Sequence, residues 1–195
     1  MMIMDQNELK TLRLLEVLEQ HETKSQRDLS MTLNMSLGLV NAFLKRLYNK
    51  GYFKIKNLPR NRVKYILTPK GVAEKSRLTY RYIMLSISFY RDTQKKLESI
   101  FKDLDKSKIR RIVFFGVSEL AEIAYIVIQE FDFELVGVVD NENAGKKFMR
   151  ECISDDILLK ENQYDALIVT KLKPDSFEID NIIKCGVPKE KIFVI

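Results

Sequence analysis

Nine cations and no acid lie between Asp28 and Glu74: Lys45, Arg46, Lys50, Lys54, Lys56, Arg60, Arg62, Lys64 and Lys70. An ordinary solvated face mixes its signs, so a run this one-sided suits a polyanion, and duplex DNA presents one phosphate charge per ~1.7 Å of axis. A solvated basic face is the plainer alternative. Within the run, Asn41 and Lys45 stand one helical turn apart. An Asn amide pairs two-pronged with adenine, and a Lys ammonium reaches guanine or phosphate. Ser36, Leu37, Gly38 and Ala42 fall off the apolar stripe of the same segment, although Ser36 is equally well read as a helix cap. Arg60 and Arg62 suit a narrow minor groove or its phosphates, and Asn61 between them either joins the contact or only makes a turn. The candidate DNA-contacting set is Ser36, Gly38, Asn41, Lys45, Arg46, Arg60, Asn61, Arg62 and Lys64.

A second constellation follows an apolar run at Gly116-Val117-Ser118-Glu119-Leu120-Ala121. In nucleotide-binding α/β domains such a turn cradles a phosphate, with glycines at its first, third and sixth places. Here only the first glycine is present. Ala121 still permits close helix packing, whereas Ser118 restricts backbone approach and Glu119 puts negative charge where pyrophosphate would sit. Asp140, 24 residues after Gly116, stands where an acid accepts ribose hydroxyls, or else caps the turn over residues 140–143. Gly116, Val117, Ser118, Asp140, Asn141, Thr170 and Lys171 all fall at the carboxyl ends of predicted strands and form the candidate ligand set. A purely structural domain fits the same pattern.

No catalytic set is assigned and no metal is expected. His21 is the single histidine, and Cys152 and Cys185 lack metal-ligand spacing. The two cysteines read as small buried hydrophobes, with a thiol switch as the other reading. Asp155 and Asp156 open a predicted helix, where they favour its dipole.

The elements that must carry these residues follow from periodicity. Residues 8–20 have helical apolar spacing, Ser25 with Asp28 marks the cap of a short helix to about residue 33, and a third helix runs from Ser36 to Gly51. The period then changes to a strand, the polar tip at residues 57–62, and a second strand ending at Leu67, which is a hairpin. From residue 72 to 115 there is neither Gly nor Pro, so the connector is one long helix, or two broken near residues 86–88 or 91–92. Its large apolar groups pack on a second copy or within the chain. Residues 102–108 read as a hinge. Beyond it, strands at residues 109–115, 133–139, 166–170 and 192–195 alternate with helices at 118–130, 154–161 and 175–185, the pattern of a parallel sheet covered on both faces.

Charge divides the same way. Residues 1–108 carry 22 Lys and Arg against 11 Asp and Glu, a net of +11, and residues 109–195 carry 11 against 16, a net of −5. No apolar run approaches the ~20 residues that span a bilayer, and no cleavable leader is expected, which points to a soluble cytoplasmic protein without membrane contact.

Three helices, a hairpin, and Leu67-Thr68-Pro69-Lys70-Gly71 closing the second strand before a further helix resemble MarR-like transcription regulators over about residues 8–80. The resemblance implies a winged helix-turn-helix on double-stranded DNA, with its third helix in the major groove, and a homodimer formed through the helix beyond the wing. Residues 136–148, Val-Gly-Val-Val-Asp-Asn-Glu-Asn-Ala-Gly-Lys-Lys-Phe, resemble the second-strand region of small Rossmann domains that bind nucleotides, coenzyme A or nucleotide-sugars. That implies a nucleotide-like effector. The whole layout also resembles redox-sensing repressors that read the NADH/NAD ratio, but it departs from them in its glycine fingerprint and in ending on a strand. The expected fold is an α+β winged helix-turn-helix domain at residues 1–70, a long helical connector and dimerisation element at 71–108, and a small α/β Rossmann-like parallel-sheet domain at 109–195. The expected function is a dimeric, sequence-specific DNA-binding transcription regulator with a small-molecule effector. The alternative is a Rossmann-type enzyme or nucleotide-sugar-processing accessory protein that uses the winged helix for protein contacts.

Overall fold

Side-chain caps decide where the first helices begin. Asp5 accepts the Asn7 N–H at 3.3 Å to start α1 (Gln6–Glu19), and Ser25 with Asp28 forms a reciprocal capping box on α2 (Gln26–Leu33). Asn34 turns the chain in the left-handed conformation (φ 48°), and Ser36 accepts the Leu39 N–H at 3.3 Å to open α3 (Leu37–Asn49). At its far end Gly51 (φ 73°) completes a Schellman ending, with Gly51 and Tyr52 N–H groups donating to the Tyr48 and Leu47 carbonyls. The computed structural model describes residues 4–20, 25–58, 62–155, 163–174 and 176–195, which form two compact units, residues 1–88 and 89–195.

In the first unit, β1 (Phe53–Leu58) and β2 (Arg62–Leu67) make an antiparallel hairpin with Phe53 opposite Leu67 and Lys56 opposite Lys64. Phe53 and Tyr65 meet edge-on at 5.4 Å and join Leu15, Leu29, Val40, Phe43 and Leu47 in one core. The segment after β2 is built around one contact. Thr68 donates its N–H to Tyr52 and its hydroxyl to the Gly51 carbonyl, then accepts the Gly71 N–H at 3.1 Å, so it locks the hairpin to the head of α4 (Pro69–Lys106). Gly71 lies so close to Tyr52 that an added Cβ would stand 1.8 Å from its carbonyl oxygen. Gly71→Ala is therefore expected to destabilise this unit by about 1–3 kcal/mol in urea unfolding, because backbone rather than a side chain must move. An unchanged midpoint would show that the Gly71–Tyr52 contact yields freely.

The connector is a single helix. Neither predicted break is present, and Ser86 is accommodated by donating its hydroxyl back to the Tyr82 carbonyl at 3.0 Å. Leu78 is buried in the first unit's core, while Leu97, Phe101 and Leu104 are buried in the second's. The expected hinge at residues 102–108 is corrected accordingly: helix continues to Lys106, and Leu104 within that stretch is core. Between these anchored ends Tyr80, Ile83, Ile87 and Tyr90 are exposed.

The second unit is a six-stranded sheet. Its strands are β3 (Arg111–Phe115), β4 (Glu134–Val139), β5 (Lys147–Phe148), β6 (Glu151–Ser154), β7 (Ala166–Val169) and β8 (Ile192–Val194), in the order β5-β6-β4-β3-β7-β8. All neighbours are parallel except the β5–β6 edge hairpin. Alternate residues explain the continuous apolar strands: Ile112, Phe114, Val138 and Ile168 pack with Leu97, Phe101 and α5 (Glu119–Ile128), and Val113, Phe115, Val139, Leu167 and Val169 pack with Tyr164 and Ile182. Ile182 belongs to α6 (Ser176–Lys184).

Two expectations change here. Ser154 ends a strand instead of opening a helix, and Asp155 is not helical; Asp156 and most of the expected helix at 154–161 lie outside the described residues. β5 and β6 carried no strand signal because they are two and four residues long and β6 meets β4 through only Ile153 and Ser154.

Candidate functional site

On α3 the residues sort by angle. Val40, Phe43, Leu44 and Leu47 face the core, which leaves Ser36, Leu37, Gly38, Asn41, Ala42 and Lys45 exposed. Gly38, Asn41 and Lys45 recur at three- and four-residue spacing and so share a face. Ser36 is a cap, its oxygen held by the Leu39 N–H. Arg46, five residues from Asn41, points about 140° around the helix. Its Nη2 donates to the Thr11 hydroxyl at 3.1 Å and its guanidinium lies 4.2 Å from the Phe43 ring centroid, so it braces α1 against α3 and does not join Asn41 and Lys45.

The hairpin adds Lys54, Lys56 and Lys64 on one face, since Lys56 and Lys64 are direct cross-strand partners and Lys54 is two residues from Lys56. Lys54 and Lys56 were seen in the sequence only as part of the cationic run; their strand register is what brings them beside Lys64. Arg62 pairs with Leu58 through its backbone, and Arg60, Asn61 and His21 lie outside the described residues.

In the second unit, the carboxyl ends of β3, β4 and β7 converge. With five parallel strands in the spatial order third-second-first-fourth-fifth, the order reverses between β3 and β7, which is where α/β sheets open a crevice. A cleft of about 340 Å³ lies there, with Phe115, Asp140, Asn141, Glu142 and Lys171 on one side and Phe177, Glu178, Asn181, Ile182 and Cys185 of the α6 region on the other. Of the expected ligand residues, Asp140, Asn141 and Lys171 line it.

Gly116, Val117, Ser118 and Thr170 instead build the support. Thr170 is fully buried, and its hydroxyl bonds the Phe115 and Gly116 carbonyls. Ser118 caps α5 by accepting the Leu120 N–H and donates its own hydroxyl to the Thr170 carbonyl at 2.5 Å. Gly116 (φ 96°) lies against the Lys171 stem, which would stand 2.2 Å from an added Cβ. Lys171 is ion-paired with Glu178, and Glu178, Asn181 and Phe177 are the cleft residues that the sequence did not single out. Their signal was available only as a helix starting just past Pro174, close to a strand's carboxyl end.

Asp140 ties two loops together. Its Oδ2 accepts the Val117 N–H at 2.8 Å, and its Oδ1 accepts the Glu142 and Asn143 N–H groups at 3.0 and 3.2 Å. Burial by itself would raise the carboxyl's pKa, but these donors and the Asn143 side chain hold it below the usual value. A lowered folded-state pKa contributes stability above the unfolded value and loses it as pH falls through the folded one. Asp140→Asn is thus expected to cost about 1–3 kcal/mol at neutral pH, and the difference should shrink at a second pH below the ordinary aspartate range, where the carboxylate takes up its proton. Equal loss at both pH values would mean that the carboxylate charge is not what ties the two loops together.

The cysteine expectation is also corrected, since Cys152 is exposed and Cys185 only half-buried. Among the described residues, no group of three or more His, Cys, Asp or Glu side chains could hold a metal ion, and no helix is long and apolar enough to cross a membrane.

Residues 8–54 match the winged helix-turn-helix DNA-binding family, in agreement with the observed helices and hairpin, and residues 107–193 match the C2185-like N-terminal family. No curated protein matches the chain. Among solved structures, similarity extends to the Staphylococcus aureus transcription regulator MepR (18% identity, 50% of this chain and 75% of that one, TM-score 0.39). It extends also to the Streptomyces coelicolor transcriptional regulator PcaV (19%, 50% and 74%, TM-score 0.41) and to the zinc-responsive MarR family member ZitR of Lactococcus lactis (16%, 55% and 76%, TM-score 0.36). Likeness of this extent carries no argument about function.

Proposed function

We propose that this chain is a DNA-binding transcription regulator that acts as a homodimer, and that its second unit is a Rossmann-like domain binding a small-molecule effector. The cationic face of the winged helix carries this proposal. Opposed like charges such as Lys56 and Lys64 cost an isolated hairpin on the order of 0.2–1 kcal/mol, a cost that phosphates would remove. Gly38 supports it too. A glycine inside a helix costs up to ~1 kcal/mol relative to alanine, yet nothing lies within 4 Å of where its Cβ would be. Among the described residues no packing contact requires that glycine; a duplex approaching the first turn of α3 would.

Asn41 and Lys45 then read bases, and the hairpin lysines set affinity without sequence preference. The strand order and the cleft at its reversal support the Rossmann-like assignment. An effector there would act only through different affinities for two states of the protein, about 1.4 kcal/mol for each tenfold shift in DNA binding. For the homodimer, Tyr80, Ile83, Ile87 and Tyr90 recur at spacings of three, four and three on exposed helix, the seam that pairs one helix with another.

The test is fluorescence anisotropy of the full chain on DNA from upstream of its own coding region, beside a scrambled duplex, at two salt concentrations. Preferred, salt-sensitive binding is expected. Asn41→Ala should cost about 1–3 kcal/mol on the preferred site and little on the scrambled one. Equal loss on both would remove Asn41 from base reading, and no binding at low salt would defeat the regulator proposal.

A further inference from the structure

The cleft at the strand ends has a chemistry of its own. Three carboxylates, Asp140, Glu142 and Glu178, line it against one ammonium, Lys171, which is already paired with Glu178. Lys184 lies 5.9 Å from the Phe177 ring centroid without lining the cleft. Two backbone donors of the turn after β3 are committed within the protein: the Val117 N–H goes to Asp140 and the Leu120 N–H to the Ser118 hydroxyl. A phosphate would enter a field of the wrong sign and find those donors already used.

What the cleft does offer is aromatic and amide surface. Phe115 borders the cleft from the core, 8% exposed and with the Lys171 ammonium 5.6 Å from its ring centroid, whereas Phe177, on the first turn of α6, lines the cleft while 65% exposed. Asn181, one turn further along α6, supplies a donor and an acceptor together, which suits the edge of a heterocycle. Asp140 has both oxygens engaged by backbone N–H groups, so Glu142, exposed on the same turn, is the carboxylate open to a ligand hydroxyl or amino group. A volume of about 340 Å³ lies at the small end of the roughly 300–1,000 Å³ of ligand pockets, enough for a ring and a sugar and too little for a dinucleotide.

We infer that the cleft takes a nucleoside-sized aromatic heterocycle that bears hydroxyl or amino groups and no phosphate, with Phe177 on its ring, Asn181 on its edge and Glu142 on its hydroxyls. This rests on the proposal that the second unit binds an effector, and it narrows that effector to an unphosphorylated one.

The experiment is calorimetric titration of the full chain with adenosine, guanosine, cytidine and uridine and with their 5′-monophosphates. At least one nucleoside is expected to bind saturably, with its monophosphate about tenfold or more weaker. Phe177→Ala should lower the nucleoside's affinity about tenfold while leaving the melting temperature of the free protein unchanged, since that ring is largely exposed. Replacing Glu142 and Glu178 together by glutamine should narrow the gap between nucleoside and monophosphate. A monophosphate that binds as tightly as its nucleoside, or eight compounds that fail to bind at millimolar concentration, would overturn the inference. DNA anisotropy on the same sample separates this failure from that of the regulator: salt-sensitive DNA binding that persists leaves the regulator standing, and its absence removes both.

Discussion

Alanine at Lys54, Lys56 and Lys64 together is expected to lower affinity for any duplex by roughly 10²–10³ near 0.1 M salt. Each phosphate contact contributes ~0.9 to the logarithmic salt slope, which is close to tenfold per contact at that concentration, so the slope should also flatten by roughly three units. The loss should be the same on the preferred site and on scrambled DNA, because phosphate contacts carry no sequence. The fold should not suffer. Lys54 and Lys56 are exposed, and removing the Lys56–Lys64 opposition relieves on the order of 0.2–1 kcal/mol, less whatever solvent already screens. The signature is therefore a urea midpoint that holds or rises while binding collapses. An unchanged slope would mean that the hairpin does not touch phosphates, and its lysines would then be ordinary solvated surface.

The first unit was legible because its signals are local. Capping residues at Ser25, Asp28 and Ser36, the Gly51 ending and the change of period after it are each written within a few residues, and the structure places helices and hairpin accordingly. The partners of Arg46 were not legible, because charge alone cannot say which way a side chain turns on its helix; the Thr11 hydroxyl and the Phe43 ring that hold it are 35 and three residues away. In the second unit the strongly apolar strands were plain, whereas β5 and β6 are short and partly polar, and β6 joins the sheet only by pairing Ile153 and Ser154 with Val138 and Val139 of β4. The ligand residues divide for the same reason. Strand ends could be named from sequence, but whether Asp140 faces a ligand or satisfies Val117, Glu142 and Asn143 depends on two loops meeting. The α6 wall of the cleft depends on the sheet order, which periodicity does not contain.

Glutamate at both Ile83 and Ile87 is expected to leave the chain monomeric in sedimentation equilibrium at concentrations where the unmodified protein is a dimer. Both side chains are exposed on α4, 47% and 40%, so the substitution buries no charge within the chain, and helix content and unfolding midpoint should be unchanged. Across a dimer seam the same four glutamates would be brought together and desolvated, a cost that the two aromatic residues left on each helix, Tyr80 and Tyr90, cannot offset. The consequence for DNA follows from linkage. A dimer places two recognition helices on two half-sites, and the second contact forms at high effective concentration, worth roughly 10²–10⁴ in affinity. The double variant should lose that factor on the preferred site yet keep most of its weak, salt-sensitive affinity for scrambled DNA, which the hairpin lysines supply one chain at a time. A monomeric unmodified protein, or a double variant that remains dimeric, would remove the α4 seam from the mechanism. If the unmodified protein is monomeric, both half-site contacts must be assembled by the DNA itself, and occupancy of the preferred site should then fall faster on dilution than that of scrambled DNA.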